Sequence, residues 1–110
     1  MVYSAVTEKR KPTYDLDALK ASFDREENIA VTGTALRSAA ALGFGRAEIV
    51  ETIQTMRRMH FYKSMTSFAD HRIWQDVYHV PTQAGVMYIK FTSDVLTEFL
   101  LLSFKERDNE

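Results

Sequence analysis

The feature that most constrains this chain is a change of hydrophobic period near His60. Before it, apolar residues recur every three or four positions: Leu16, Leu19 and Phe23, then Leu36, Ala39 and Ala40, then Ile49, Val50, Ile53 and Met56. That spacing lines one face of an α-helix. After it, the apolar residues fall into short β-branched and aromatic runs: Phe61–Ser67, Ile73–Val80, Val86–Thr92 and Phe99–Lys105. Such runs read as strands. In the third, Met87, Ile89 and Phe91 alternate with Tyr88, Lys90 and Thr92, which predicts one buried and one open face. Helices followed by a block of strands imply an α+β domain, with an antiparallel sheet carrying about three N-terminal helices on one face. The opposite face is then free to hold a site.

The punctuation supports this division. Thr13 or Asp15 can cap the first helix, and Thr32 or Thr34 the second. Gly43-Phe44-Gly45 stops the second helix, since glycine adopts the left-handed cap conformation without strain. The third helix is expected from Arg46 to Met59. Ile29-Ala30-Val31 reads as a short strand, and Leu100-Leu101-Leu102 as a strand covered on both faces. Residues 1–12, polar and unpatterned through Glu8-Lys9-Arg10-Lys11, read as a flexible arm before a single domain over 13–107.

With 110 residues there is room for one domain. There are no cysteines, so disulfides and thiolate metal sites are excluded. His60, His71 and His79 form no HExxH or i,i+4 pair, and no GxSxG elbow or GxxxxGK[ST] phosphate loop is present. No metal and no cofactor are therefore expected. No apolar run is long enough to span a bilayer, and the N-terminus lacks a signal-like stretch, so a cytoplasmic protein without a membrane partner is expected. The formal net charge is −1, and neither half is a cationic arm. Composition alone does not announce a nucleic-acid binder. The polar side chains left on the strand half are Tyr62, Lys63, Gln75, Tyr88 and Lys90, with His71 in a connection. Each has an ordinary explanation as a solvated strand residue.

The strings Phe61-Tyr62-Lys63-Ser64-Met65-Thr66, Asp70-His71 and Ile73-Trp74-Gln75-Asp76-Val77-Tyr78 are more particular than composition. With Val86-Met87-Tyr88-Ile89-Lys90 and Leu102-Ser103-Phe104-Lys105-Glu106, they closely resemble the motility quorum-sensing regulator (MqsR) toxin family. The similarity runs from about Thr13 to Glu106 and is strongest through the strands. It implies a RelE-like ribonuclease toxin fold with a curved sheet. It also implies the toxin role of a type II toxin–antitoxin pair: ribosome-independent, metal-independent cleavage of messenger RNA at short GC-containing sites. The implied partner is an MqsA-like antitoxin with a zinc-binding and a helix-turn-helix domain, through which any contact with DNA would be indirect.

The family's catalytic lysine, glutamine and tyrosine fall on Lys63, Gln75 and Tyr88. A further lysine grouped with them falls on Lys105, and Tyr62, His71 and Lys90 are expected to contact RNA. The residues after Tyr78, His79 to Gly85, carry no arginine where the family would place a basic loop, and the Asp94–Glu98 turn is longer than usual. The rival expectation is a binding module that keeps the antitoxin interface without useful activity. Such a module would regulate transcription through the complex.

Overall fold

The computed structural model describes residues 6–108. A two-residue strand and then three helices precede the four longer strands, and all five strands form one open sheet whose spatial order is the sequence order, every neighbour antiparallel. The strands are β1 (Glu8–Lys9), β2 (Phe61–Thr66), β3 (Trp74–Thr82), β4 (Gly85–Asp94) and β5 (Glu98–Glu106). The helices are α1 (Leu16–Ser22), α2 (Gly33–Ala41) and α3 (Arg46–Gln54). The α+β architecture expected from the change of period is thus observed.

Local chemistry sets the helix ends. Asp15 Oδ1 accepts the Asp17 N–H at 3.1 Å and starts α1. Thr32 Oγ1 accepts the Ala35 N–H at 3.1 Å and starts α2. These bonds satisfy amides that have no partner inside the helix. The α2 end is a Schellman turn: Gly43 (φ +85°) donates to Ala40 O, and Phe44 donates to Ala39 O. The α3 start is closed by Glu48, whose carboxylate accepts the Gly45 N–H at 2.8 Å.

The third helix is shorter than its periodicity predicts, ending at Gln54 instead of Met59. Its last turn is tied to the end of α1. Gln54 Nε2 donates to Lys20 O and Phe23 O, and Lys20 Nζ donates to Met56 O. Met56 is buried, and the chain then turns through a short 3-10 segment, Arg58–His60, into β2.

Residues 29–31 do not form a strand. Val31 makes a single parallel bridge to Leu101, in which Leu101 N–H donates to Ala30 O and Thr32 N–H donates to Leu101 O. Leu100 and Leu102 are half-buried, so β5 is fully covered on the Leu101 face alone.

The expected arm divides into two parts. Residues 1–5 lie outside the described residues. Beyond them, β1 adds to the free edge of β2, with Glu8 opposite Met65 and Lys9 opposite Ser64. Thr7 N–H donates to Thr66 Oγ1 and Thr66 N–H to Thr7 O. The next residues are held by a buried carboxylate: Asp76 accepts the Thr13 N–H at 3.0 and 3.1 Å and the Tyr14 N–H at 2.9 Å. The stretch from Thr7 to Tyr14 is therefore docked on the sheet, because the β2 edge and Asp76 offer partners that water would otherwise supply.

The core fills the space between the helices and one sheet face. Leu19, Phe23, Ala35, Ala39, Ile49, Ile53 and Met56 meet Tyr78, Val80, Met87, Ile89, Phe91, Leu101 and Phe104. The alternation read in β4 holds, with Met87, Ile89 and Phe91 fully buried and Tyr88 and Lys90 half-exposed on the other side.

Candidate active site on the open sheet face

Two irregularities decide what the open face presents. The β2–β3 register shifts between Phe61 and Lys63: Phe61 lies opposite Tyr78 and Lys63 opposite Val77, so Tyr62 is the extra residue of a bulge. A bulge lets two successive side chains leave the sheet on one side. Phe61 turns to the core, edge-on to Tyr78 at 5.5 Å, while Tyr62 and Lys63 both line the open face. Simple alternation would put Lys63 on the same face as Phe61, and the bulge overrides it. A second shift, between Lys90 and Phe91 opposite Ser103 and Leu101, keeps Lys105 opposite Tyr88.

The register then builds the site in rows. His79, Tyr88 and Lys105 stand opposite one another on β3, β4 and β5. The adjacent row is Lys63, Val77, Lys90 and Ser103, and the next is Met65, Gln75 and Thr92 with Glu8 on β1. The first row, with Tyr62 and Lys63, lines an open hollow of about 570 Å³ to which Arg107 and Asp108 also contribute. Of the expected residues, the structure brings Tyr62, Lys63, Tyr88 and Lys105 together there. Lys90 is one row away, and Gln75 two rows away beside Met65. His71 lies apart in the exposed β2–β3 connection.

The aromatic rings hold the cations. Lys63 Nζ sits 5.3 Å from the Tyr62 ring centroid, Lys105 Nζ 5.2 Å from that of Tyr88, and the Arg10 guanidinium 5.5 Å from that of Tyr62. Arg10 also donates to Tyr62 O at 3.2 Å. Lys63 is ion-paired to Glu8. Burial, together with the charges of Lys105 and Lys63, lowers the Lys90 pKa. Burial raises that of Tyr88, with Lys63 opposing. The near-neutral total charge thus hides a local excess: Lys63, Lys90, Lys105, Arg107 and Arg10 crowd one face, with Glu8 and Asp108 as its acids. This is the cationic surface that composition did not announce.

Sequence reasoning missed His79, Arg107 and the role of Glu8. The run Ile73–Val80 puts His79 near a strand end, and the resemblance puts it in the loop after Tyr78; in the structure β3 continues to Thr82, and the turn is only Gln83-Ala84 before Gly85 (φ +114°). The usable signal was the i, i+2, i+4 spacing of Gln75, Val77 and His79, obscured by the apolar residue at its centre. Among the described residues no cluster of three or more His, Asp or Glu could hold a metal ion.

Comparison with known proteins decides the family. The family model described as "Motility quorum-sensing regulator, toxin of MqsA" matches residues 11–106. The chain belongs to that family. It is also similar to the mRNA interferase toxin MqsR of Escherichia coli (strain K12), with 37% identity over 100 residues covering 91% of this chain and 99% of the relative. The matched span contains β2 to β5 whole, with every expected site residue. No helix among the described residues is long and apolar enough to cross a membrane.

Proposed function

We propose that this member of the MqsR family is an endoribonuclease that cuts messenger RNA without a metal or a ribosome, at short GC-containing sites. In this reading it is the toxin half of a pair with an MqsA-type antitoxin. The observation that carries it is the convergence of Lys63, Tyr88 and Lys105 on one cationic hollow, in a chain whose family is described as the toxin of MqsA.

Cleavage without a metal uses the ribose 2′-oxygen as nucleophile. The new bond joins the 2′-oxygen to phosphorus, and the bond from phosphorus to the 5′-oxygen breaks. The products are a 2′,3′-cyclic phosphate and a 5′-hydroxyl. Lys63 and Lys105 both line the hollow where the phosphate would lie and would stabilise charge on the phosphorane. Tyr88, whose pKa burial raises, lies on β4 between the strands that carry them and would give a proton to the leaving 5′-oxygen. Gln75, Lys90 and Tyr62 extend the surface along the sheet for flanking phosphates and for a stacked base, and His71 would meet RNA beyond the strand ends.

The near-neutral total charge favours the second reading, a binding module that retains only the antitoxin interface and acts on transcription through the complex. Induced expression separates the two. A ribonuclease arrests growth, and Lys63→Ala or coexpression of the antitoxin relieves the arrest. Unimpaired growth with the folded wild-type chain would leave the binding module.

A further inference from the structure

The proposed cleavage requires a base for the 2′-hydroxyl, and neither an ordinary lysine nor a tyrosine protonated at neutral pH supplies one. The residue placed to do so is absent from the expected set. We infer that His79 is the catalytic base, its imidazole taking the 2′-hydroxyl proton while Lys63, Lys105 and Arg107 hold the phosphate.

Position comes first. His79 is in the same cross-strand row as Tyr88 and Lys105, and all three line the hollow with Lys63. A proton could therefore leave the 2′-oxygen on the His79 side while Tyr88 delivers one to the 5′-oxygen. The ring is also fixed in orientation. It stacks on Tyr62 at 4.2 Å between centroids and 21° between planes, and Tyr88 lies at 6.0 Å. The bulge that brings Tyr62 to this face also provides the stacking surface.

The other two histidines do not serve. His60 Nδ1 already accepts the Arg57 N–H at 3.0 Å in the turn before β2, and His71 is in an exposed connection.

Electrostatics favour the neutral form. The groups facing His79 are Tyr62 and Lys63 on β2, with Glu8 paired to Lys63 from β1. Tyr88 and Lys90 face it from β4, and Lys105, Arg107 and Asp108 from β5 and the residues after it. Burial, then Arg107 and Lys63, lower its pKa from the ordinary 6.5, so at pH 7 the imidazole is a free base.

The proton balance closes in one turnover. His79 gains the 2′-hydroxyl proton, Tyr88 loses one to the leaving oxygen, and both are restored by exchange with solvent before the next.

The inference rests on the ribonuclease reading, and the test separates the two. Cleavage of a defined single-stranded RNA in EDTA is measured from pH 5 to 9 for wild type, Lys63→Ala, His79→Gln and His79→Phe. The wild-type rate is expected to fall below an inflection under pH 6.5. Both His79 variants are expected to lose about 10²–10⁴-fold in kcat with little change in KM, and to lose that acidic limb. His79→Phe keeps a ring for Tyr62 to stack on, so activity retained by it would make the role one of packing and overturn the proposal. An unchanged acidic limb in His79→Gln would overturn it equally. A wild type that cuts while Lys63→Ala does not leaves the ribonuclease reading standing in either case, whereas a wild type that cuts nothing removes both.

Discussion

Replacing Asp76 tests whether one buried carboxylate ties the entry segment to the sheet. The side chain is fully buried on β3, facing the helices, and it accepts two backbone amides, those of Thr13 and Tyr14. Thr13 Oγ1 is also 2.7 Å from the buried Ser64 Oγ, so the whole joint is shielded. Asp76→Ala removes both acceptors. A hydrogen bond to a charged group contributes about 1.5–3 kcal/mol, so two give roughly 3–6 kcal/mol. Relief of the buried charge offsets part of that, since leaving a carboxylate in the interior is itself unfavourable. A net loss of about 3 kcal/mol is expected, a large part of the 5–15 kcal/mol typical of such a domain. With an unfolding entropy of about 2.1 cal/mol/K per residue, this lowers Tm by about 13 °C.

Asp76→Asn keeps one acceptor oxygen for both amides and should lose less than half as much. Thermal and urea melts of the three proteins measure the order, and hydrogen exchange at the Thr13 and Tyr14 amides should accelerate in both variants. A fall of less than about 4 °C for Asp76→Ala, equivalent to about 1 kcal/mol, would refute the reasoning. So would Asn proving as costly as Ala.

Tyr78 is buried, and its hydroxyl meets no protein hydrogen-bond partner among the described residues. Tyr78→Phe should therefore leave stability at pH 7 within about 1 kcal/mol of wild type, or raise it, by urea titration. Burial, with Asp76 adding, pushes the Tyr78 pKa up to about 12. Its contribution is complete below pH 10 and is lost as pH rises toward 12, so wild type should lose stability across that window and Tyr78→Phe should lose less. Glu8 is ion-paired to Lys63, and on the proposed reading it would compete with an RNA phosphate for that lysine. An exposed pair of this kind contributes up to about 1 kcal/mol, so Glu8→Gln should tighten binding of a non-cleavable RNA analogue by up to about fivefold, and more weakly at high salt. Unchanged affinity would mean that the pair does not oppose RNA.

Much of this architecture is legible in the sequence because it depends on neighbours. The helix starts follow from Asp15 and Thr32, the Schellman stop from Gly43, and the buried and open faces of β4 from strict alternation. What escapes depends on partners remote in sequence. A two-residue strand such as Glu8–Lys9 carries no period, and it forms because β2 presents an unpaired edge. The early end of α3 comes from Lys20 and Gln54 bonding between two helices. For the site, resemblance supplied Lys63, Tyr88 and Lys105, but not the geometry that unites them. That depends on the Tyr62 bulge, which reverses the facing of Phe61 relative to Lys63 and appears only once β3 is in register. His79 went unnoticed because Val77, buried in the middle of the open face, breaks the polar pattern on β3.

The central claim is that the hollow between β2 and β5 cuts RNA by its own side chains. Incubation of purified protein with a defined single-stranded RNA in EDTA, beside Lys63→Ala, tests it most directly. Discrete fragments ending in a 2′,3′-cyclic phosphate from wild type, and none from the variant, are the predicted result. Intact RNA across many sequences, from protein shown to be folded, would contradict it.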